Sequence, residues 1–239
     1  MPVWDPYLSE RDREHLNIWG KKEPFGFGVR PVLLIVDDYY SVVGVEREPI
    51  LESIKNWPGS CGLEGWEAID RTTDLIAAAR ANDIPIIYTI DDLTGYTKPW
   101  GRRGRPRHQL DHLPQEIQAK ANEIVAEIAP QLGDLVISKA APSGFQGTSL
   151  LFHLNYMGVD TIITCGETTS GCVRASVVDG CTFRYRMGVV AECCFDRTEA
   201  SHAINLFDMH QKYADVIDLE AAQAYFAAVG GRMPVAAGR

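Results

Sequence analysis

Three residues with complementary chemistry each stand at or just after the end of a short apolar run. Asp37 ends VLLIVD, Lys139 ends DLVISK, and Cys172 follows DTIITCG, where a helical pattern begins. Open parallel sheets place their active sites outside the carboxyl ends of the strands, so the three would meet there if these runs are strands of one sheet. A thiol, a carboxylate and an ammonium group suit nucleophilic acyl transfer, in which the carboxylate accepts the thiol proton and later protonates a leaving amine.

The position of Cys172 at a helix start favours an activated thiol. The positive end of the helix dipole, with Lys139 nearby, is expected to lower the pKa of the thiol. Backbone N–H groups at the same helix start could hold an oxyanion. Each residue also has a structural interpretation: Cys172 as an ordinary buried thiol, Asp37 as a turn residue whose role passes to Asp38, and Lys139 as a solvated surface residue.

The elements that would position these residues follow an alternating pattern. Apolar runs alternate with segments of helical periodicity, and the runs are apolar on both faces rather than on alternate residues, as strands of a parallel sheet covered by helices require. The pattern predicts an α/β fold with a doubly wound, mostly parallel six-stranded sheet flanked by helices. Strands are predicted at residues 32–38, 84–92, 134–139, 160–166, 187–193 and 214–219. Helices are predicted at residues 66–83, 113–132, 147–158, 170–184, 197–213 and 220–229.

The chain of 239 residues fits one domain, residues 31–230, with an N-terminal arm at 1–30 and a C-terminal tail at 231–239. The arm is polar and is expected on the surface or across a partner subunit. A long basic loop at 92–112 interrupts the pattern, and loops of this length are usually lids or binding loops. Its arginines could steer an anion, although a solvated loop explains most of them. They are Arg102, Arg103, Arg105 and Arg107.

Charge and composition exclude some function classes. The formal net charge of −9 predicts no nucleic-acid partner and no membrane partner. The N-terminal residues lack the features of a signal peptide, and no apolar run reaches the ~18 residues of a membrane span, so a cytoplasmic location is expected. The six cysteines are too sparse for a disulfide scaffold, and their spacing does not suggest zinc, so they are expected to be reduced.

Three segments occur in a specific order. They are RPVLLIVDD at 30–38, VISKAAPSGFQGTSL at 136–150 and IITCGETTSGCVRASVVDG at 162–180. Together they resemble the isochorismatase-like cysteine hydrolase family, over about residues 28–220. The resemblance implies a doubly wound α/β fold and a homodimer or homotetramer.

The resemblance also implies roles for individual residues. Cys172 would be the nucleophile, Asp37 the base and Lys139 the cationic partner. A cis peptide between Glu167 and Thr168 is implied, with the N–H groups of Thr168 and Cys172 forming the oxyanion hole.

Within the family, the chain looks most like the branch of N-carbamoylsarcosine amidohydrolase and maleamate amidohydrolase. The segment PSGFQGT contains Phe145, and in the segment 194–216 Arg197 matches an arginine that binds a substrate carboxylate. The resemblance thus implies that Arg197, Thr168 and Phe145 bind the substrate. An ion pair of Arg197 with Asp196 or Glu199 is the structural alternative.

The expected activity is release of ammonia from a small ureido acid such as N-carbamoylsarcosine. A dicarboxylic half-amide such as maleamate, a biuret-like urea, and a non-catalytic binding role are the alternatives. Nicotinamidase-type relatives bind zinc through an Asp and two His, and DDLTGYTKPW lacks those histidines, so no metal and no cofactor are expected. The family pattern also has an apolar residue where this chain has Asp38, which leaves open whether Asp37 or Asp38 points into the site.

Overall fold

A computed structural model describes residues 1–20, 22–91 and 113–231 of the chain. Six strands form one sheet with the order β3-β2-β1-β4-β5-β6, and every pair of neighbouring strands is parallel. This confirms the predicted doubly wound six-stranded fold. The strands are β1 (Pro31–Val36), β2 (Ile86–Asp91), β3 (Leu135–Lys139), β4 (Thr161–Glu167), β5 (Arg186–Phe195) and β6 (Asp215–Ile217).

Helices connect the strands and cover the sheet. They are α1 (Glu10–Trp19), α2 (Tyr40–Val43), α3 (Ile50–Ser53), α4 (Gly62–Ala81), α5 (Gln115–Lys120), α6 (Leu150–Met157), α7 (Arg174–Thr182), α8 (Glu199–Lys212) and α9 (Leu219–Val229). The strands β1 and β4 are buried along their whole length. Packing of β5 against α4, α9 and α7 encloses the centre of the sheet, which explains why the central strands are continuously apolar.

The predicted helix at 113–132 is wrong over most of its length. Helix α5 ends at Lys120, and only a 3₁₀ turn at Ala126–Ile128 follows. The backbone between them pairs instead with the chain after β1: Val125 N donates to Asp38 O at 3.2 Å, and Ile124 forms an antiparallel bridge with Tyr39. These tertiary hydrogen bonds outweigh the helical propensity of the segment.

The N-terminal arm is anchored to its own chain. Trp4 is buried, with its ring 6.1 Å from the ring of Phe207 in α8. Further along, Lys22 Nζ lies 2.5 Å from Asp215 Oδ1 at the edge strand β6, and Gly26 N donates to the same carboxylate at 2.8 Å. Whether the arm also crosses to a partner subunit stays a prediction.

Two further predictions concern the rest of the chain. The predicted lid at 92–112 and the tail beyond Gly231 lie outside the described residues. Within the described ranges, no helix is both long enough and apolar enough to span a membrane.

Candidate active site

The fold brings Asp37, Lys139 and Cys172 together. Lys139 Nζ lies 2.6 Å from Asp37 Oδ2 and 3.4 Å from Cys172 Sγ. The side chains of Lys139 and Asp37 are each only 1% exposed. Lys139 is the last residue of β3, and its long side chain reaches across β2 to the end of β1. The interpretation of Lys139 as a solvated surface residue is therefore wrong.

Asp37, rather than Asp38, faces the cysteine. Asp37 has φ 57°, in the left-handed region, so the chain turns sharply as it leaves β1. Thr89 of β2 holds the carboxylate, because its hydroxyl donates to Asp37 Oδ1 at 2.8 Å while its carbonyl accepts the Asp37 N–H at 3.2 Å. The Cys172 thiol lies within hydrogen-bonding reach of the same carboxylate.

Cys172 stands just before helix α7. It belongs to a π-helical turn, Thr169–Val173, with a kink at Gly171. Ser176, buried in α7, donates its hydroxyl hydrogen to Cys172 O at 2.8 Å and accepts the Gly144 N–H at 2.9 Å. Ser176 thus ties the cysteine to the loop that follows β3.

The expectation of a lowered thiol pKa is wrong for this arrangement. Burial, followed by the charge of Asp37, raises the pKa of Cys172 to about 12, and Lys139 opposes the shift only in part. Burial also raises the pKa of Asp37 to about 6, against the opposing effect of Lys139. Burial acts to lower the pKa of Lys139, but the charges of Asp37 and Cys172 outweigh it and the pKa is raised. At neutral pH the site therefore holds a thiol beside a carboxylate and an ammonium group.

The turn between β4 and Cys172 contains the expected cis peptide, between Glu167 and Thr168. Gly166, just before it, has φ 111°, and a Cβ there would lie 2.2 Å from Val36 O. Only glycine lets β4 approach β1 this closely. Thr168 lies beside the kink at Gly171, because Gly171 N donates to Thr168 O at 2.8 Å.

The segment that follows β5 clamps this turn. The Thr169 hydroxyl donates to Phe195 O at 3.0 Å, and Asp196 Oδ2 accepts the Ser170 N–H at 2.8 Å. His202 of α8 completes the clamp, with Nδ1 2.8 Å from Thr169 Oγ1. A hydroxyl has one hydrogen, so His202 Nδ1 is the donor in this pair. Burial lowers the pKa of His202, which favours its neutral form.

Arg197 lines a surface pocket of about 330 Å³ next to the turn, together with Thr168, Gly171 and Asp196. Its Nη1 donates to Thr168 Oγ1 at 3.0 Å, and its Nη2 lies 2.6 Å from Glu167 Oε1. The ion-pair partner is therefore Glu167, rather than Asp196 or Glu199. The Arg197 side chain lines the pocket and is 27% exposed, although its Nη2 atom is buried.

Phe145 occupies a different environment from the other predicted site residues. Its ring is buried, 5.4 Å from the ring of Phe183 and 6.3 Å from that of Tyr185. These contacts describe packing behind the loop after β3, and a contact of Phe145 with substrate stays a prediction.

Several residues of the site were missed in the sequence. Polar side chains that contact the predicted site residues, or the turn that carries them, belong to Thr89, Ser176, His202 and Glu167, of which Glu167 was expected only for its cis peptide bond. Their positions after or within apolar runs were the only available signal, and that signal does not say which strand or helix lies opposite.

A buried acid lies behind the turn. Asp38 is 1% exposed, and neither of its carboxyl oxygens has a hydrogen-bonding partner among the described residues. Burial, with further contributions from Glu167 and Asp37, raises the pKa of Asp38 well above its ordinary value. Burial therefore favours the protonated form of Asp38.

Among residues 1–20, 22–91 and 113–231, no group of three or more His, Cys, Asp or Glu side chains is arranged to hold a metal ion. The expected absence of a metal stays a prediction for the whole chain.

Comparison with known proteins gives consistent matches. A family model described as the isochorismatase domain matches residues 54–221. The chain is 33% identical over 221 residues to a maleamate amidohydrolase of Pseudomonas putida, covering 87% of this chain and 91% of that protein. It is 30% identical over 216 residues to an N-carbamoylsarcosine amidase of Arthrobacter, covering 88% and 76%. A solved isochorismatase family protein from Desulfovibrio vulgaris shares the fold, with a TM-score of 0.68 at 24% identity, covering 84% and 100%.

Proposed function

This chain belongs to the isochorismatase family, and we propose that it is a cysteine amidohydrolase that releases ammonia from a small amide or ureido compound. The observation that carries the proposal is the contact of the Cys172 thiol with both Asp37 and Lys139 at the carboxyl ends of the strands. A thiol that is merely structural does not need a buried carboxylate and a buried ammonium group beside it.

The proposed reaction has two halves. Asp37 accepts the Cys172 proton as the sulfur attacks the carbonyl carbon of the substrate, and Lys139 stabilises the negative charge on the pair. The oxyanion is held by the N–H groups of Thr168 and Cys172. Oxyanion-hole donors of this kind typically increase the rate by a factor of ~10²–10³. Asp37 then gives its proton to the amino group of the tetrahedral intermediate, the C–N bond breaks and ammonia leaves, and an acyl or carbamoyl thioester remains on Cys172.

Water completes the reaction. Asp37 removes a proton from a water molecule, whose oxygen attacks the thioester carbonyl, and the proton passes to Cys172 as the sulfur leaves. The pKa of Asp37, about 6, suits both tasks, because the carboxylate predominates at neutral pH and its conjugate acid is still a ready donor.

The substrate we propose carries a carboxylate at the end remote from the scissile bond. The position of Arg197 supports this, because its partly exposed side chain lines the pocket beside Thr168. N-carbamoylsarcosine and maleamate both fit the description, and the two named relatives act on one each. Arg197 would bind the carboxylate, with Thr168 beside it.

A biuret-like urea is a second candidate because of one observation. Arg197 is already paired with Glu167, so the pocket does not need a substrate carboxylate to balance its charge.

The experiment is ammonia release from a panel of N-carbamoylsarcosine, other N-carbamoyl amino acids, maleamate, biuret and nicotinamide. We expect release from N-carbamoylsarcosine or maleamate in preference to nicotinamide. Release from none of them would contradict the proposal and leave a non-catalytic binding role as the better interpretation.

We also propose a homodimer or homotetramer located in the cytoplasm. Gel filtration that shows a strict monomer would contradict the first, and cell fractionation tests the second.

A further inference from the structure

Glu167 is a buried carboxylate that pairs with Arg197, one of the residues that line the pocket beside Thr168. Its side chain is 5% exposed, and its Oε1 lies 2.6 Å from Arg197 Nη2. The hydroxyl of Thr168 donates to the same oxygen. The cation offered to a substrate is therefore half of an ion pair.

The other charges around Arg197 also oppose an incoming anion. Asp196 is close enough to act on Arg197 electrostatically, and it lines the same pocket. Lys139, the cation of the proposed triad, is already paired with Asp37. Among these described side chains, a carboxylate that binds Arg197 thus meets one positive charge and two negative ones.

Arg197 holds Glu167 in place from the pocket side. The guanidinium lies directly against the Glu167 carboxylate, with Nη2 2.6 Å from Oε1, and the carboxylate is almost fully buried. Glu167 is therefore the acid on the inner side of Arg197.

We propose that Glu167 determines the charge selectivity of the pocket, weakening the binding of carboxylate-bearing substrates relative to uncharged ones of the same size. The inference rests on the proposed function for its reaction, and on the Glu167–Arg197 pair alone for its effect on binding. Glu167 is a specificity-determining residue and takes no part in the chemistry.

The expected size follows from Coulomb's law. A substrate carboxylate on the outer edge of the guanidinium lies ~6 Å from the Glu167 carboxylate. With an effective dielectric constant of ~40, between water and the protein surface, removing that repulsion changes the dissociation constant about tenfold.

The variant is Glu167→Gln, which keeps an oxygen to accept from Arg197 and Thr168 but removes the charge. The KM for N-carbamoylsarcosine or maleamate is expected to fall about tenfold at low salt, and the KM for biuret to stay unchanged. The effect should shrink at high ionic strength. Glu220→Gln, which removes the same charge from an exposed position of α9, is the matched control and should change neither KM.

A binding measurement separates this inference from the proposed function. Succinate is titrated against wild type and Glu167→Gln, and its affinity is read from the protection of Cys172 against iodoacetamide. If lower concentrations of succinate protect Cys172 in Glu167→Gln than in wild type, the inference is supported even if no compound of the panel is hydrolysed. Ammonia release with unchanged succinate affinity, or a higher KM for the carboxylate substrates, would overturn it and leave the proposed function standing.

A second variant pair keeps the test valid if Glu167→Gln unfolds. Arg197→Gln leaves Glu167 without its partner. The single variant should therefore bind succinate more weakly than the double variant that carries both Arg197→Gln and Glu167→Gln. Equal affinities in the single and the double variant would overturn the inference.

Discussion

Replacing Asp37 with Asn should make Cys172 more reactive toward alkylation while it stops turnover. Asp37 raises the pKa of Cys172 through its charge and its hydrogen bond, whereas Lys139 lowers it. Asp37→Asn leaves the ammonium group 3.4 Å from the sulfur as the dominant charge. The thiol pKa is therefore expected to fall from about 12, and the thiolate fraction at a given pH rises tenfold for each unit of the fall.

The same contacts set the effect on stability. Removing one partner of a buried ion pair typically costs about 3–5 kcal/mol, because the other charge is left uncompensated. Here the thiolate can replace the carboxylate, and at 3.4 Å instead of 2.6 Å it recovers about three quarters of the Coulomb attraction. The free energy of unfolding should therefore fall by ~3 kcal/mol, near the lower end of that range.

Three assays check this prediction. Iodoacetamide alkylation followed by peptide mass spectrometry gives the reactivity of Cys172 against pH, urea unfolding gives the stability, and ammonia release gives turnover. Turnover should fall by ~10²–10⁴ because the proton acceptor is gone. Asp38→Asn is the matched control, since burial favours the uncharged form of this neighbouring acid, and its replacement should leave both rates unchanged. Alkylation that slows together with turnover would refute the reasoning.

The remaining predictions concern pH, the glycine at the end of β4 and the clamp on the turn. Asp37 must be ionised to accept the thiol proton, so kcat/KM should fall about tenfold per unit below pH ~6, as measured by ammonia release across pH. A flat profile down to pH 5 would contradict this. Gly166→Ala should abolish activity and lower the free energy of unfolding by at least ~1–3 kcal/mol, because its Cβ would lie 2.2 Å from Val36 O. Gly133 also has a positive φ, but a Cβ added there would have no other atom within 4 Å. Equal losses of stability in Gly133→Ala and Gly166→Ala would therefore exclude the close approach to Val36 as the cause. His202→Ala removes one hydrogen bond to Thr169 and should lower kcat about 2–10-fold with little change in KM. An unchanged kcat would show that the clamp does not position the turn.

Much of the fold was predictable because its central strands are rich in apolar residues on both faces. The runs that became β1 and β4 are buried on both faces, so their composition alone marks them as central strands of a parallel sheet. The meeting of Asp37, Lys139 and Cys172 follows from the same topology, since each stands at or just after a strand's carboxyl end.

The remainder depends on partners that are distant in the sequence. The segment around Val125 bonds to the chain after β1, so its local helical pattern did not determine its structure. The thiol pKa was predicted with the wrong sign because burial and the charge of Asp37 exceed the effect of Lys139. The partner of Arg197 could have been any of several nearby acids, and only the geometry of the turn selects Glu167.

The central claim is that Cys172 is the nucleophile, and ammonia release by two cysteine variants tests it most directly. Cys181 is a free, partly buried cysteine of the same helical region, so Cys181→Ala is a matched control for Cys172→Ala. With the best substrate of the panel, we predict release at the wild-type rate from Cys181→Ala and none above background from folded Cys172→Ala. Sustained release from Cys172→Ala would contradict the account.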